Sequence, residues 1–508
     1  MSETSQSIGQ RLIMGSGYYY FSLLINKGIT TISSIFLART LGPKNFGMIS
    51  IINYLTLLLL LFTGFGIPTA SVKLIVAEWT KERKEASAFI TSAFLSNLLI
   101  IILITFLFYL FAYDIADRVY RNETLGSLFR ISAFALFFFS LTQYGNGVIQ
   151  ALSEFKRLSL LLIFNSSISL CLLIPLTKFF GLRGAVLSQM ITSIIVFLLC
   201  LRIFLFLCKK YSLTGFWVNF NKIKEQSKKL FSFAFPVFLS GLVMTPALTI
   251  LTALLSRLRG FQEVGFFNVG YSLTQIILFL PTAVGVPFIP IASRLASEDK
   301  ERLKDFLLKT IYGVNIIVLL ACFIIGFFAN EIIYFLFGPK YEPAQKIILL
   351  LLASGFLSSF GYIIGYYLLA IGKVWFGTLM NFIWFVIILT PAYHLIKRWG
   401  LTGLGLTYLL SYIVLTIVFC FYLKNHLKVK MGQLVTHFLL GVGFLLVLFL
   451  FRTFRPEFQR ITFRFPAILL EVGIFLCFLA VFILLVPKSF DKRIIKQIFI
   501  KRNVEEKI

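Results

Sequence analysis

Lys27 sits deep inside an apolar run, twelve residues from Gly15 and twelve from Arg39. On a helix that spacing puts it ~18 Å from either end. An ammonium at such depth needs water, an acidic partner or an anionic ligand, because burying it bare is costly. Ser16, Tyr20, Thr31 and Ser34 fall near the same helical face, so the lysine belongs to a polar stripe that must avoid lipid. A second stripe is Thr245, Thr249, Thr252 and Ser256, at spacings of four, three and four, and Asn268, Ser272 and Gln275 follow at four and three. Such groups either tie helices together or line a wet path. Asn268 and Gln275 are candidates for the second role. Four more cations border these runs. Arg39 and Arg257 stand at the ends of apolar blocks, while Lys73 and Arg294 follow Gly-x-Pro triplets. With Lys27 they form a set able to hold an anion. Interfacial anchoring also suits Arg39 and Arg257, and a basic cytoplasmic loop also suits Lys73 and Arg294.

The elements that must position these residues follow from composition. Of 508 residues 58% are hydrophobic and 14% charged, and the mean hydropathy is +0.91. A soluble chain of this length needs far more polar surface. The apolar residues fall in blocks of about 20, the length that crosses ~30 Å of hydrocarbon as a helix. An open strand there would leave its backbone groups unpaired. The chain therefore reads as an all-α, polytopic membrane protein with about fourteen spans: 16–38, 46–66, 88–112, 128–149, 158–177, 184–207, 231–255, 265–289, 307–328, 345–369, 375–396, 401–423, 433–451 and 465–486. The first block is long and lacks a small-residue cleavage site, so it reads as an uncleaved helix.

With the N-terminus in the cytoplasm, that side collects about 29 Lys and Arg and the opposite side about 16; Lys27, Arg130 and Arg202 lie inside spans. The bias puts both termini in the cytoplasm. It also accounts for much of the +27 net charge as topology facing anionic lipid, and no nucleic-acid partner is expected.

Other chemistry is sparse. Cys171, Cys200, Cys208, Cys322, Cys420 and Cys477 form no CxxC pair, and His394, His426 and His437 are dispersed, so no metal or cofactor is expected. No GxxxxGK phosphate loop occurs, so the chain is no ATPase by itself. Short loops leave no room for an extramembrane catalytic domain, and the chain reads as a transporter and not an enzyme.

The sequence repeats itself. Leu37, Arg39, Gly42 and Gly47 match Leu255, Arg257, Gly260 and Gly265 at an offset of 218. Gly66, Pro68, Ala77, Lys81, Glu82, Arg83 and Thr91 match Gly285, Pro287, Ala296, Lys300, Glu301, Arg302 and Thr310 at 219, as do Gly181, Leu182, Gly184 and Leu187 with Gly400, Leu401, Gly403 and Leu406. Ordered blocks at a near-constant offset point to duplication. Two parallel six-helix repeats are expected, 1–207 and 231–424, joined by a cytoplasmic linker, 208–230, that carries Phe216 and Trp217. Two extra helices in 425–486 and a basic tail, 487–508, follow. Parallel repeats of this kind place a substrate between lobes. The Gly-x-Pro triplets at Gly66–Pro68 and Gly285–Pro287 predict either a bend or a merely terminal proline.

The run Leu37-Ala38-Arg39-Thr40-Leu41-Gly42-Pro43-Lys44-Asn45-Phe46-Gly47, with the later Leu336, Phe337, Gly338, Tyr341 and Ala344, resembles signatures of polysaccharide flippases of the multidrug/oligosaccharidyl-lipid/polysaccharide exporter superfamily. The resemblance extends over nearly the whole chain. It is strongest to O-antigen and capsule repeat-unit flippases and weaker to the lipid II flippase of peptidoglycan synthesis. It implies an alternating-access flippase in the inner membrane that moves a polyprenyl-diphosphate-linked oligosaccharide from the cytoplasmic to the outer leaflet. Implied partners are that lipid-linked saccharide, membrane lipids, a polysaccharide polymerase and glycosyltransferases. Family members usually carry Arg where Lys73 stands, and Arg294 looks like its rough counterpart. Such a protein is needed because each sugar hydroxyl costs about 4–8 kcal/mol to strip of water without replacement. The fourteen spans hold no Asp and only Glu471. Cation-coupled multidrug exporters need membrane carboxylates, so an anionic substrate fits better.

Overall fold

A computed structural model describes residues 2–79, 83–211, 213, 220–429, 441 and 443. The side chains of 2–17, 20, 83, 84, 220–222, 240, 244 and 286 lie outside the description, and with them those of Ser16, Tyr20 and Arg83. So do Lys81, Glu82, Phe216, Trp217, His437, Glu471, Cys477, the last two expected spans apart from 441 and 443, and the basic tail.

In order the helices are α1 (Ser2–Gly64), α2 (Ile67–Trp79), α3 (Arg83–Leu110), the short α4 (Ala112–Asp114), α5 (Thr124–Ala151), α6 (Phe155–Lys210) and α7 (Phe220–Gly241). They continue with α8 (Met244–Arg259), α9 (Phe261–Glu298), α10 (Lys300–Phe327), α11 (Ala329–Phe337), α12 (Gln345–Ala370) and α13 (Val374–Leu427). Among the described residues there is no strand. Among the described residues, eight stretches are long and apolar enough to cross a membrane. The fold is an all-α, multi-pass membrane fold.

Several expected loops shrink to one glycine. α1 runs through Gly42 (φ 71°, ψ 171°), α6 through Gly181 (φ 57°, ψ −133°) and α13 through Gly400 (φ 57°, ψ −126°). These conformations are open to glycine because it lacks Cβ. Pro43 then begins the next helix where its missing N–H costs nothing. At 56 and 54 residues, α6 and α13 would each reach roughly 80 Å if straight, more than twice the hydrocarbon thickness. Each is therefore long enough for two crossings. The stretch expected as a linker is helical at both ends, since α6 runs to Lys210 and α7 starts at Phe220.

The two Gly-x-Pro triplets behave differently. At the first, Phe65 (φ 44°) and Gly66 (φ 72°) separate α1 from α2. A Cβ on Gly66 would lie 2.3 Å from the Ala234 carbonyl oxygen, so α7 packs directly on the break. Phe65 stacks on Phe238, 4.4 Å between centroids. At the second, α9 continues unbroken through Pro281, Pro287 and Pro290.

The chain divides into two compact units, Met1–Asn268 and Val269–Ile508. The first has a core of buried residues from α2, α3, α5, α6 and α7, including Ile75, Phe89, Val148, Leu161 and Leu230. Also within this unit, α1 and the start of α9 cross at glycines. A Cβ on Gly47 would fall 1.8 Å from the Phe261 carbonyl oxygen, and one on Gly265 would fall 2.2 Å from that of Pro43. Gly47 and Gly265 are counterparts at the offset of 218, and so are Ser50 and Asn268, one turn further on, which hydrogen-bond to each other at 2.8 Å. In the second unit, fully buried Asn315 of α10 accepts from Ser359 of α12 at 2.7 Å.

Candidate functional site

Lys27 lies on the exposed face of α1, and among the described residues no carboxylate pairs with it. Thr30 and Thr31 donate to the Lys27 carbonyl oxygen at 3.0 and 2.8 Å. Thr31 thus satisfies its hydroxyl on its own helix and leaves the ammonium untouched.

The second stripe mostly ties helices. Thr249 donates to the carbonyl oxygens of Tyr54 and Thr245, each at 3.1 Å. Thr252 and Ser256 donate to Leu248 and Ala253 of their own helix. Both ends of the Asn268 amide are engaged: its Oδ1 accepts from the Tyr54 hydroxyl at 2.6 Å and its Nδ2 donates to Ser50. Gln275 is hydrogen-bonded to Tyr271 one turn back, and Ser272 donates to the Val269 carbonyl oxygen.

The remaining cations divide. Arg39 and Arg257 are exposed at the helix ends on either side of the glycine crossing. Arg257 has no ion pair among the described residues, whereas Arg39 has an interaction of its own. The Lys73 ammonium lies 4.2 Å from the Phe233 ring centroid. Arg294 pairs with Glu298 at 2.7 Å on the surface of α9. Arg130, which falls inside an expected span, lies over the rings of Tyr109 and Tyr113, at 4.9 and 4.6 Å from their centroids, a cation–π arrangement that steadies it on α5.

Two features were not singled out from sequence. The first is a cavity of about 260 Å³ in the first unit, between α1, α5 and α6. Its polar lining comes from lone amides and hydroxyls inside apolar spans, among them Asn53, Asn165 and Gln189. Those isolated amides were the available signal, but each alone reads as helix glue.

The second is a charge cluster at the α5–α6 turn. Glu154 pairs with Arg157 at 3.1 Å and with Lys210, and accepts from the Tyr211 hydroxyl at 2.8 Å. Burial pushes the Glu154 carboxyl up, but the hydrogen bonds from Lys210 and Tyr211 and the charges of Lys210 and Arg157 outweigh it and hold the group below its ordinary value. Tyr211 in turn meets Trp79 edge-on at 5.4 Å, so the cluster ties the ends of α2 and α6 to the turn. Among the described residues no group of three His, Cys, Asp or Glu could hold a metal ion.

Residues 12–296, more than half of the chain, match the family described as "Polysaccharide biosynthesis protein". The chain belongs to that family of membrane proteins. It is 24% identical over 416 residues to the "Uncharacterized membrane protein in cps region" of Klebsiella pneumoniae, covering 80% of each. The "Probable low-salt glycan biosynthesis flippase Agl15" of Haloferax volcanii is 25% identical over 170 residues, 33% of this chain and 36% of that one. Among solved structures, "Lipid II flippase MurJ, inward closed conformation" is similar with a TM-score of 0.71 at 16% identity, covering 92% of this chain and 98% of that one. The resemblance drawn from Leu37–Gly47 and Leu336–Ala344 is borne out at the level of family and fold.

Proposed function

We propose that this protein is a flippase that carries a polyprenyl-diphosphate-linked oligosaccharide from the cytoplasmic to the outer leaflet of the inner membrane by alternating access. On this reading both termini are cytoplasmic, and the working parts are the repeats 1–207 and 231–424. The observation that carries it, within a family of polysaccharide biosynthesis, is Lys27: a lysine in the middle of an apolar run, on the exposed face of α1, with no carboxylate partner among the described residues. A drug exporter that takes cations would present a carboxylate there, whereas a fixed ammonium with polar neighbours suits a diphosphate. Arg257 is the next best placed to meet the substrate. Arg39 and Lys73 play lesser parts, and Arg294 is already engaged by Glu298.

The test is export of surface polysaccharide. Lys27→Ala should abolish it while the protein still inserts, and Lys27→Arg should keep part of it. Normal polysaccharide in the Ala variant would sink the assignment.

The expected repeat spans hold no carboxylate, which supports electrical driving. Two negative charges leaving an inside-negative cell gain roughly 4–5 kcal/mol per 100 mV. Reconstituted protein should flip faster under an imposed inside-negative potential without an ion gradient. A rate that ignores the potential and follows sodium or protons would refute this.

A further inference from the structure

The cavity in the first unit carries no charge. Its lining comes from three helices: Asn53 and Thr56 on α1, Phe139 on α5, and Asn165, Gln189 and Thr192 on both halves of α6. No ionisable side chain contributes, so a diphosphate finds no cation there and a cationic drug finds no carboxylate.

Two hydroxyls in this cavity stand out. The Thr192 side chain is 5% exposed, yet its Oγ1 has no hydrogen-bond partner, and neither does the buried Oγ1 of Thr56. Their neighbours Ser188 and Ser193 satisfy theirs on helix carbonyl oxygens, each at 2.7 Å. Helical hydroxyls ordinarily do the same; Thr192 and Thr56 do not, and both belong to the cavity lining. Gln189 Nε2 donates to Asn53 Oδ1 at 2.9 Å. That bond leaves the Asn53 NH2 as a donor and the Gln189 carbonyl as an acceptor. Phe139 adds an aromatic wall.

Alternating donors and acceptors beside an aromatic face match a pyranose ring, whose hydroxyls both give and accept and whose C–H face is apolar. About 260 Å³ is below the roughly 300–1,000 Å³ of drug-sized sites, which limits the occupant to about one ring. We propose that this cavity is a subsite for a single uncharged sugar residue of the lipid-linked headgroup. The proposal rests on the flippase reading above and adds to it: the diphosphate is held by cations elsewhere, and sugar identity is read here.

Thr192→Val is the sharpest test. Removing a hydroxyl that has no partner should leave the empty protein as stable as before or more so, whereas a hydroxyl that bonds a sugar is missed only when the sugar is present. Full-length protein in proteoliposomes would be given polyprenyl diphosphate bearing one neutral hexose, or the same lipid bearing none. Thr192→Val and Gln189→Leu should raise the half-saturating concentration of the hexosyl lipid by about tenfold, the equivalent of one good hydrogen bond, and leave that of the bare lipid within about twofold. The unfolding temperature of Thr192→Val should not fall. Equal effects on both lipids, or no effect on either, would overturn the subsite. So would a sodium-dependent rise in unfolding temperature that Thr192→Val removes, which would make the cavity a cation site. If the wild-type protein moves neither lipid, the flippase reading itself fails, an outcome distinct from all of these.

Discussion

Ser153–Glu154 and Gly372–Lys373 lie 219 residues apart and turn the chain in the same way. Ser153 and Gly372 take positive φ, 58° and 76°, and the next residues sit at φ −84°, ψ 52° and φ −85°, ψ 48°. The same three amides close each turn: Leu152, Ser153 and Glu154 donate to Val148, Gln150 and Ile149, while Ile371, Gly372 and Lys373 donate to Tyr367, Leu369 and Leu368. The charge that follows is opposite. Glu154 gathers Arg157, Lys210 and Tyr211, whereas among the described residues Lys373 meets the Tyr422 ring, 5.9 Å away. Backbone geometry here is set by helix hydrogen bonding and is the same at both places, while the side-chain chemistry at positions matched by the offset differs. The same contrast recurs elsewhere. Lys27 corresponds to Thr245, and the broken helix at Gly66 corresponds to the continuous one at Gly285.

The largest test of this contrast concerns Lys27 and its counterpart. Lys27→Ala should remove polysaccharide export and Thr245→Ala should leave it within about twofold, because only the first position supplies a charge. Equal losses would mean the two positions had not specialised.

Next comes Gly66→Ala. It forces a Cβ into the Ala234 carbonyl at positive φ and should cost about 2–4 kcal/mol. At Gly285 a Cβ meets the Tyr366 ring, and φ is not positive. A side chain can shift where a backbone cannot, so Gly285→Ala should cost less than half as much. Thermal unfolding of the purified protein reads both.

Glu154→Gln should destabilise by about 1–2 kcal/mol, since the carboxylate is mostly buried but Lys210 and Arg157 are partly solvated. Lys373→Gln should cost under about 0.5 kcal/mol. The Glu154 contribution has a definite sign with pH. Its carboxyl is held below the ordinary 4.5 in the folded protein, so the stabilisation is complete above that value and fades only as pH falls through the lower, folded one. A wild-type unfolding temperature that differs from the Gln variant by the same amount at pH 7 and pH 3 would contradict this.

The smallest effect is at the turns themselves. Gly372→Ala should cost about 1 kcal/mol at its positive φ, whereas Ser153→Gly should change stability by less than that.

Hydropathy made the spans legible because a membrane filters composition so strongly, and Lys27 stood out for the same reason. The joints were harder to read. Nothing in span lengths distinguishes a loop from a single kinked glycine such as Gly181 or Gly400, because both fit between two apolar blocks. The matching Gly-x-Pro triplets predicted like behaviour. What separates them is tertiary: Gly66 is opened by close packing of α7, and Phe65 is held there by Phe238. Asn268 read as a candidate ligand because stripe spacing does not tell which partner an amide has already found; in the structure Tyr54 and Ser50 occupy it. The neutral cavity escaped notice because its residues come from separate spans and none carries charge.

The crossing at Gly47 and Gly265 has one more consequence. Contacts between counterparts are the mark of two-fold symmetry, and in a dimer of identical chains both sides of such a contact must carry the same residue. Ser50 and Asn268 meet as different residues, an amide donating to a hydroxyl. A covalently joined pair escapes the rule that binds a homodimer, since a substitution on one side is not copied to the other. On the duplication expected from the sequence, the axis position is then free to become a matched donor and acceptor, and the likeness of counterparts is weakest at the very point where they meet.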